Sequence, residues 1–463
     1  MLQQRSTLPS LGCRHDSSRV PRALVAGCGL RGHRLEHVAD GPQSPGVTAK
    51  AGQARRGALT VPHAFAETAA LATAASPLFG PGPYGPVALT FTPYHALLGG
   101  LILGASTAGK LLTTGRILGI SGAIKGLVNG DFAKWRLAFL GGMTAGAVAL
   151  RVLMPGAFEA LRANCPWWRA AIAGLLVGMG SSMGNGCTSG HGICGMARLS
   201  PRSFAYVATF MATGFAAATL TQSCRCAGVL PTPPPLVMPT APELSLGYTI
   251  LGGTVAAFLL IAALGKVFTP KAATASGGSG LGSAGFAGGP GTAAFTSAGA
   301  AAGAVCATPA PMHPVLETTA EAVAGFTFAL GLGFSGMAHA TKVVSFLSPL
   351  YPAWDLSLPF VLGGAVAVAM VAFQAVIRFH AMAAPLLCPK FSLPSSNAID
   401  TRLIVGGVMF GAGWGMSGVC PGPAILNAVV NKDPRMVVWM GCLLVGMALE
   451  SHKMHTWFAD KKK

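Results

Sequence analysis

Long apolar stretches without charged residues recur along most of this chain. They cover residues 137–150, 170–187, 204–224, 244–264, 322–340, 356–377, 403–430 and 437–449. A helix needs about 20 predominantly apolar residues to cross a bilayer, and several stretches reach that length alone or with their flanks. We therefore predict an all-α, polytopic membrane protein.

The predicted helices fall into two groups of four. The first group covers residues 96–112, 134–153, 169–183 and 203–220, and the second covers 319–337, 356–379, 401–416 and 435–450. Residues 245–264 predict one connecting helix between them, which makes about nine helices. An odd connector reverses the second group in the membrane, so the prediction is two inverted four-helix repeats, an architecture common in transporters.

The third helix of each group ends in a similar sequence that is centred on a cysteine. The first copy is G-M-G-S-S-M-G-N-G-C, ending at Cys187, and the second is G-A-G-W-G-M-S-G-V-C, ending at Cys420. The same offset of 233 residues also pairs Arg169 with Arg402. The chain is therefore expected to contain a duplicated unit that presents one cysteine per copy.

The predicted organisation has six parts. They are a largely disordered leader at 1–92, a first repeat at 93–222, a connector with a membrane helix at 223–268, a flexible Gly/Ala/Ser-rich linker at 269–316, a second repeat at 317–452 and a basic tail at 453–463. Residues 1–60 hold nine Lys/Arg and three Asp/Glu. This composition fits an organellar transit peptide as well as a disordered tail. The expected location is a chloroplast or mitochondrial membrane, or otherwise the plasma membrane.

Composition narrows the function. The chain is 52% apolar and 10% charged, against about 25% charged in a typical soluble domain. Its net charge of +18 would attract an anionic substrate. Acidic residues are almost absent from the predicted spans, which argues against a carboxylate-based cation pump. No catalytic triad, carboxylate pair or phosphate loop is evident, so we expect neither an enzyme nor a cofactor or nucleic-acid partner.

Glycine-rich breaks follow both cysteine units, at residues 184–195 and 415–423. Non-helical backbone at membrane depth is tolerated only where protein or an aqueous cavity covers it, so these breaks are expected to line an interior path. The side chains predicted to line it are Cys187, Cys420, Cys194, Met183, Met416, Thr188, Ser189, His191 and Ser417. The backbone glycines expected to shape it are Gly178, Gly180, Gly186, Gly190, Gly411, Gly413, Gly418 and Gly422.

Several of these residues have a second interpretation. Cys194 fits a small core hydrophobe, and the two methionines fit gap fillers in a helix interface. His191 is equally a core histidine with satisfied nitrogens or a proton carrier. Cys187, His191 and Cys194 also form a C-x3-H-x2-C pattern that could collect a soft metal ion.

The segment G-N-G-C-T-S-G-H-G-I-C-G closely resembles the signature of the YeeE/YedE sulfur-transport family. Similar stretches are G-L-G-F-S-G-M-A-H-A-T-K-V-V-S-F-L from Gly331 and G-V-C-P-G-P-A from Gly418. The chain resembles a fused pair of the short bacterial forms. The resemblance implies uptake of thiosulfate or a related sulfur-bearing anion, passed along thiols at Cys187 and Cys420 by weak contacts. It also suggests that Lys342 helps to draw in the anion.

The chain departs from the family in one respect. The best-understood members use a third cysteine near the start of the first repeat, and residues 29–164 here contain none. Three functions are therefore considered: a thiosulfate permease, a membrane sulfurtransferase or thiol redox protein that carries sulfur covalently, and a soft-metal permease. The covalent alternative requires an activated thiolate. The expected partners are a sulfur-containing anion and the lipid bilayer, and no oligomeric state is indicated.

Overall fold

A computed structural model describes residues 87–159, 166–268, 313–394, 396–431 and 433–451. Within these ranges the chain forms helices and three isolated bridges but no strand. They all belong to one compact unit, Thr60–Lys463. The leader up to residue 86, most of the linker and the basic tail lie outside the described residues, so the predictions made for them stay predictions.

The described helices occur in two similar series on either side of a connector. The first series contains α1 (Pro93–Thr114), α2 (Ile120–Val128), α3 (Lys134–Leu153), a 3₁₀ turn (Pro155–Ala157), α4 (Trp167–Gly184), a π-helix (Thr188–Gly195), α5 (Pro201–Leu220) and the short α6 (Ser223–Cys226). The connector is α7 (Ala241–Phe268). The second series contains α8 (Pro314–Phe334), α9 (Ala340–Phe346), α10 (Ser357–Ile377), α11 (Thr401–Ser417), α12 (Pro421–Val430) and α13 (Pro434–Leu449).

The prediction of an all-α polytopic membrane protein is confirmed. Each of the nine predicted helices coincides with a long helix, and α3 has the predicted bounds. Seven helical stretches of the described chain are long and apolar enough to cross a bilayer: α1, α3, α5, α7, α8, α10 and the combined stretch Thr401–Val430. The remaining two, α4 and α13, contain 18 and 16 residues. The sequence analysis missed the short helices α2, α9 and α12.

Proline and left-handed residues set the ends of the helices. A proline occupies the first turn of α1, α5, α8, α12 and α13, where its missing N–H removes no helical hydrogen bond. Asp400 caps α11 by accepting a hydrogen bond from the amide of Leu403 at 3.1 Å. α1 ends at Gly115 with φ 71°, and the equivalent turn after α8 contains Gly336 with φ 76°. The local sequence therefore stops each helix where the fold requires a turn.

The two series exchange equivalent contacts. A Cβ atom placed on Gly178 of α4 would lie 2.2 Å from the carbonyl oxygen of Leu443 on α13. One placed on Gly411 of α11 would lie 2.4 Å from that of Phe210 on α5. Both members of the second pair are shifted by 233 residues, but in opposite directions, from those of the first. Such reciprocal contacts are what a two-fold relation between repeats produces.

The same exchange occurs where α4 crosses α11. A Cβ atom on Gly180 would lie 2.6 Å from the carbonyl oxygen of Gly406, and one on Gly413 would lie 2.6 Å from that of Ala173. These positions again correspond at the offset of 233. The helices can approach this closely because glycine has no side chain. The two repeats therefore interlock at their third helices, and the cysteine units lie at the ends of those helices.

Gly178→Ala should destabilise the protein because the added methyl group would collide with backbone of α13. An overpacked core position costs about 1–3 kcal/mol of folding free energy. Gly441→Ala on α13 is the matched control, since a Cβ atom there has nothing within 4 Å. Thermal unfolding in detergent should show a lower midpoint for Gly178→Ala than for Gly441→Ala. Equal midpoints would contradict the close crossing of α4 and α13.

Candidate transport site

Both cysteines occupy the same backbone position in their repeats. α4 ends at Asn185, with φ 57°, and α11 ends at Gly418, with φ 69°. Two residues later Cys187 and Cys420 are extended, and each immediately precedes a short helix, the π-helix or α12. Each unit is thus a long helix, a left-handed cap, an extended cysteine and a short helix. The sequence repeat predicts this equivalence of the two cysteines.

The two units meet inside the protein. The hydroxyl of Thr188 donates a hydrogen bond to the Sγ of Cys420 at 3.5 Å. On the other side of Thr188, the Sγ of Cys187 lies 3.3 Å from the Oγ of Ser189. Cys187 is buried and Cys420 is partly exposed. The thiol of the second unit therefore lies against the residue that follows the thiol of the first.

A third short helix begins at the same place. The amide of Ile120, the first residue of α2, lies 3.5 Å from the Oγ of Ser189 as a long hydrogen bond. A Cβ atom on Gly422 of α12 would lie 2.9 Å from the side chain of Ile120. The N-termini of α2, the π-helix and α12 therefore converge around the two cysteines. Helix N-termini carry partial positive charge and free amides, which favour anions.

His191 and Cys194 connect helices next to this point. The Nε2 of His191 lies 3.0 Å from the carbonyl oxygen of Gly184, and its Nδ1 lies 3.0 Å from the Oγ of Ser203. These contacts satisfy a neutral ring that donates from Nε2 and accepts at Nδ1. The thiol of Cys194 donates to the carbonyl of Leu118 at 3.3 Å. Both side chains thus fasten the π-helix to its neighbours.

The soft-metal alternative needs three side chains that converge on one ion. His191 uses both ring nitrogens in other contacts, and the Cys194 thiol is directed to a carbonyl. Among the described residues, no group of three His, Cys, Asp or Glu side chains is placed to hold a metal ion. The structure therefore does not assemble Cys187, His191 and Cys194 into a ligand set.

Comparison with known proteins identifies the family. Residues 88–216 match a family described as sulphur transport, and residues 316–461 match a family of unknown function. A probable transporter of Xylella fastidiosa strain Temecula1 is 43% identical over 126 residues, which is 27% of this chain and 93% of that relative. The chain belongs to the sulphur transport family.

A second relative has a similar extent. It is a probable transporter of Xylella fastidiosa strain 9a5c, 38% identical over 138 residues, which is 30% of this chain and 92% of that relative. Such relatives are covered almost completely, whereas each accounts for less than a third of the chain. These proportions agree with the predicted fusion of two short forms.

The other side chains predicted for the path have different surroundings in this sulphur transport protein. Met183 is fully buried and packs on Gly406 of α11. Met416 is partly exposed, and its carbonyl accepts a hydrogen bond from the Nε of Arg169 at 2.9 Å. The Ser417 hydroxyl donates to the carbonyl of Gly413 at 2.9 Å and lies at the end of α11. Their described contacts pack and terminate helices, and a role in the path stays a proposal.

The predicted glycines shape the breaks in several ways. The four at the helix crossings allow the backbones to touch. Gly418 supplies the left-handed cap of α11, and Gly186 leaves room for the His191 ring, which a Cβ atom would approach to 2.5 Å. Gly422 packs against α2, whereas a Cβ atom on Gly190 would meet nothing within 4 Å. The breaks are therefore tightly packed at three of these positions and open beside Gly190.

Lys342 lies in a buried ion pair. Its Nζ donates to the Oγ1 of Thr92 at 2.7 Å and to the carbonyl of Thr90 at 2.9 Å, and it lies 3.6 Å from the Oδ2 of Asp355. The side chain is 4% exposed. Its charge is compensated by Asp355, which reduces the attraction it exerts on a distant anion. Its predicted role in anion attraction stays a proposal.

Arg169 is a buried cation that the sequence analysis did not place in the site. Its guanidinium donates to the carbonyl of Met416 and to the carbonyl and hydroxyl of Thr221, each at 2.9 Å, and to the hydroxyl of Ser223 at 2.5 Å. All these acceptors are neutral, and no described carboxylate forms an ion pair with it. The pairing of Arg169 with Arg402 in the repeat was the available signal. The Cys420 unit therefore has a neighbouring positive charge without a described counterion.

Arg402 has the equivalent place beside the Cys187 unit. It contacts the carboxylate of Glu450, which also accepts from the hydroxyl of Ser182 and lies 3.3 Å from the Nζ of Lys125. That ammonium also donates to the carbonyl of Ser182 at 2.9 Å. Two positive groups and one negative group leave one positive charge. Each cysteine unit is thus flanked by one net positive charge, although the residues differ.

A second group of buried charges lies between α1 and α8. The Nζ of Lys110 lies 2.7 Å from the Oε2 of Glu321, and Arg116 pairs with both Glu317 and Glu321. The expectation that acidic residues are almost absent from the spans is wrong for α8, because Glu317 and Glu321 both lie within it. They were missed because the predicted helix began at residue 319 and was treated as an uncharged stretch from residue 322.

Proposed function

We propose that this protein is a permease for thiosulfate or a related sulfur-containing anion, which the thiols of Cys187 and Cys420 contact in turn. The observation that carries the proposal is the 3.5 Å hydrogen bond from Thr188 to the Sγ of Cys420. It brings the two duplicated cysteine units together at one buried place. Two equivalent thiols that meet between inverted repeats are suited to a path that must work from both ends.

The groups around the thiols match both ends of a thiosulfate ion. A thiol is a weak donor and a polarizable neighbour, which suits the terminal sulfur. The hydroxyls of Thr188 and Ser189 and the amides at three helix N-termini suit the three oxygens. Contacts of this kind are numerous and individually weak. Weak, multiple contacts allow an ion to leave as well as enter, as conduction requires.

The charges favour an anion over a cation. Arg169 lies beside the Cys420 unit, and Lys125 and Arg402 together exceed Glu450 by one charge beside the Cys187 unit. Charges in a protein interior interact more strongly than in water, because the surrounding medium is less polarizable. An anion moving between the units would therefore leave one positive region and approach another.

Competition during uptake tests this proposal. Purified protein in proteoliposomes should accumulate labelled thiosulfate, and unlabelled thiosulfate should suppress the signal. Sulfate in large excess should suppress it much less, because it lacks the terminal sulfur that the thiols contact. Protein-free liposomes are the control. Equal competition by sulfate would show that the terminal sulfur is not recognised.

Covalent sulfur transfer is the competing mechanism, and mass spectrometry separates the two. A sulfurtransferase would retain an added sulfur on Cys187 or Cys420 after exposure to thiosulfate. Passage by weak contacts should leave the masses of both cysteine-containing peptides unchanged. Detection of a persulfide that disappears during turnover would contradict the permease mechanism proposed here.

A further inference from the structure

A small cavity lies beside the Cys420 unit. Its volume is about 150 Å³, and it is bounded by the corner between α5 and α6 and by the loop that follows α9. The polar residues that line it are Thr219, Gln222, Cys224, Arg225, Ser348 and Tyr351. No lining residue is acidic. The cavity was not anticipated from the sequence, because its two walls are more than 120 residues apart.

One wall of the cavity is bonded directly to the end of α11. The hydroxyl of Ser223 donates to the carbonyl of Gly415 at 2.7 Å. The same hydroxyl accepts a hydrogen bond from Arg169, which also holds Met416. The chain that forms this wall is therefore fixed to residues four and five positions before Cys420.

The other wall also leads to Cys420. The thiol of Cys224 donates to the carbonyl of Val344 on α9 at 3.5 Å. The side chain of Val344 in turn approaches Gly418, whose Cβ position would lie 2.7 Å from it. α9 thus extends from the left-handed cap next to Cys420 to the loop that carries Ser348. Both walls join the cavity to the same cysteine unit.

The lining offers donors and positive charge. Arg225 is exposed, and its Nη1 donates to the neutral Oε1 of Gln222 at 3.3 Å. The Oγ of Ser348 is buried and has no geometric hydrogen-bond partner among the described residues, with Cys224 beside it. Burial raises the pKa of the Cys224 thiol, so this thiol adds no negative charge. Such a lining suits a small anion that accepts hydrogen bonds.

The size of the cavity also suits a small anion. One water molecule occupies about 30 Å³ in the liquid, so the cavity has room for about five. Thiosulfate and related tetrahedral sulfur anions have a comparable number of heavy atoms. A nucleotide or peptide would not fit without rearrangement of the walls.

We infer that this cavity is a binding site for a small sulfur oxoanion at one mouth of the path to Cys420. Arg225 and Ser348 hold the anion there, and Arg169 provides positive charge on the inner side. This inference rests on the proposed function and adds a site to it. The C-termini of α5 and α9 face the same region, and their partial negative charges oppose the anion. The balance keeps binding weak, as a site of passage requires.

Arg225→Gln tests the inference by measuring zero-trans flux of thiosulfate in both directions across proteoliposomes. In the direction whose entrance is the cavity, KM should rise about fivefold with little change in kcat, since a single exposed charge contact is lost. The difference should fade at high ionic strength because salt screens exposed charges. Arg225→Lys should recover most of the affinity. Arg378→Gln is the control, since Arg378 is also exposed and the net charge changes equally.

Ser348→Trp provides a second measurement that does not depend on charge. The large ring should fill the cavity and lower the flux several-fold, and Ser348→Ala should have a small effect. An unchanged KM in both directions for Arg225→Gln, with normal flux in a folded Ser348→Trp, would overturn the inference while leaving the permease proposal intact. Absence of thiosulfate flux in the wild-type protein would instead contradict the proposed function itself.

Discussion

Uptake of thiosulfate should fall at least tenfold when either Cys187 or Cys420 is replaced by alanine. A hydrogen bond to a charged group contributes about 1.5–3 kcal/mol, and loss of that amount at a narrow point corresponds to roughly a tenfold to hundredfold decrease in rate. Cys187 is 1% exposed, and Cys420 receives the Thr188 hydroxyl at 3.5 Å. No neighbouring side chain in the described part of this site supplies another thiol in the same position.

Initial uptake rates in proteoliposomes, normalised to the amount of folded protein, measure this effect. Cys442→Ala is the matched control, because Cys442 is also a partly exposed free thiol but lies on α13 away from both breaks. The double variant should be no slower than the slower single variant, since either loss interrupts the same path. Normal flux in both single variants would rule out the thiol mechanism.

Replacement of Glu321 by leucine should destabilise the protein by about 3–5 kcal/mol, because it leaves buried cations without their partner. Glu321 is 0% exposed and lies 2.7 Å from the Nζ of Lys110, which is itself 1% exposed. That ammonium also lies 4.1 Å from the centre of the Phe139 ring. A positive charge enclosed in this way has no water to replace the lost carboxylate.

The double variant Lys110→Met/Glu321→Leu is the informative comparison. Removing both charges together replaces an ion pair by apolar side chains of similar length, which is often neutral for stability. Unfolding in detergent should therefore show a large loss for Glu321→Leu and a recovery of most of it in the double variant. If the double variant is as unstable as the single one, the ion pair between α1 and α8 is not the cause of the loss.

The position of the long helices and the equivalence of the two cysteines were evident from the sequence alone. The bounds of α3 and the start of α11 at residue 401 were predicted correctly, and all nine long segments were found. Helices that enter a bilayer must satisfy their own backbone hydrogen bonds, so local apolar composition largely determines where they occur. The repeat offset likewise predicted that Cys187 and Cys420 would share one backbone position.

The short helices and the charge contacts depended on tertiary structure. α9 contains seven residues and α2 nine, which is too short to produce a clear apolar period. The ion pair between Lys110 and Glu321 joins positions more than 200 residues apart, and the cavity beside Ser348 is formed by two separate loops. Such contacts depend on how the two repeats interlock at their glycines, because neither repeat alone contains both partners. The sequence therefore determined the membrane helices and the duplicated thiols, and the packing of one repeat against the other decided which charges and hydroxyls surround them.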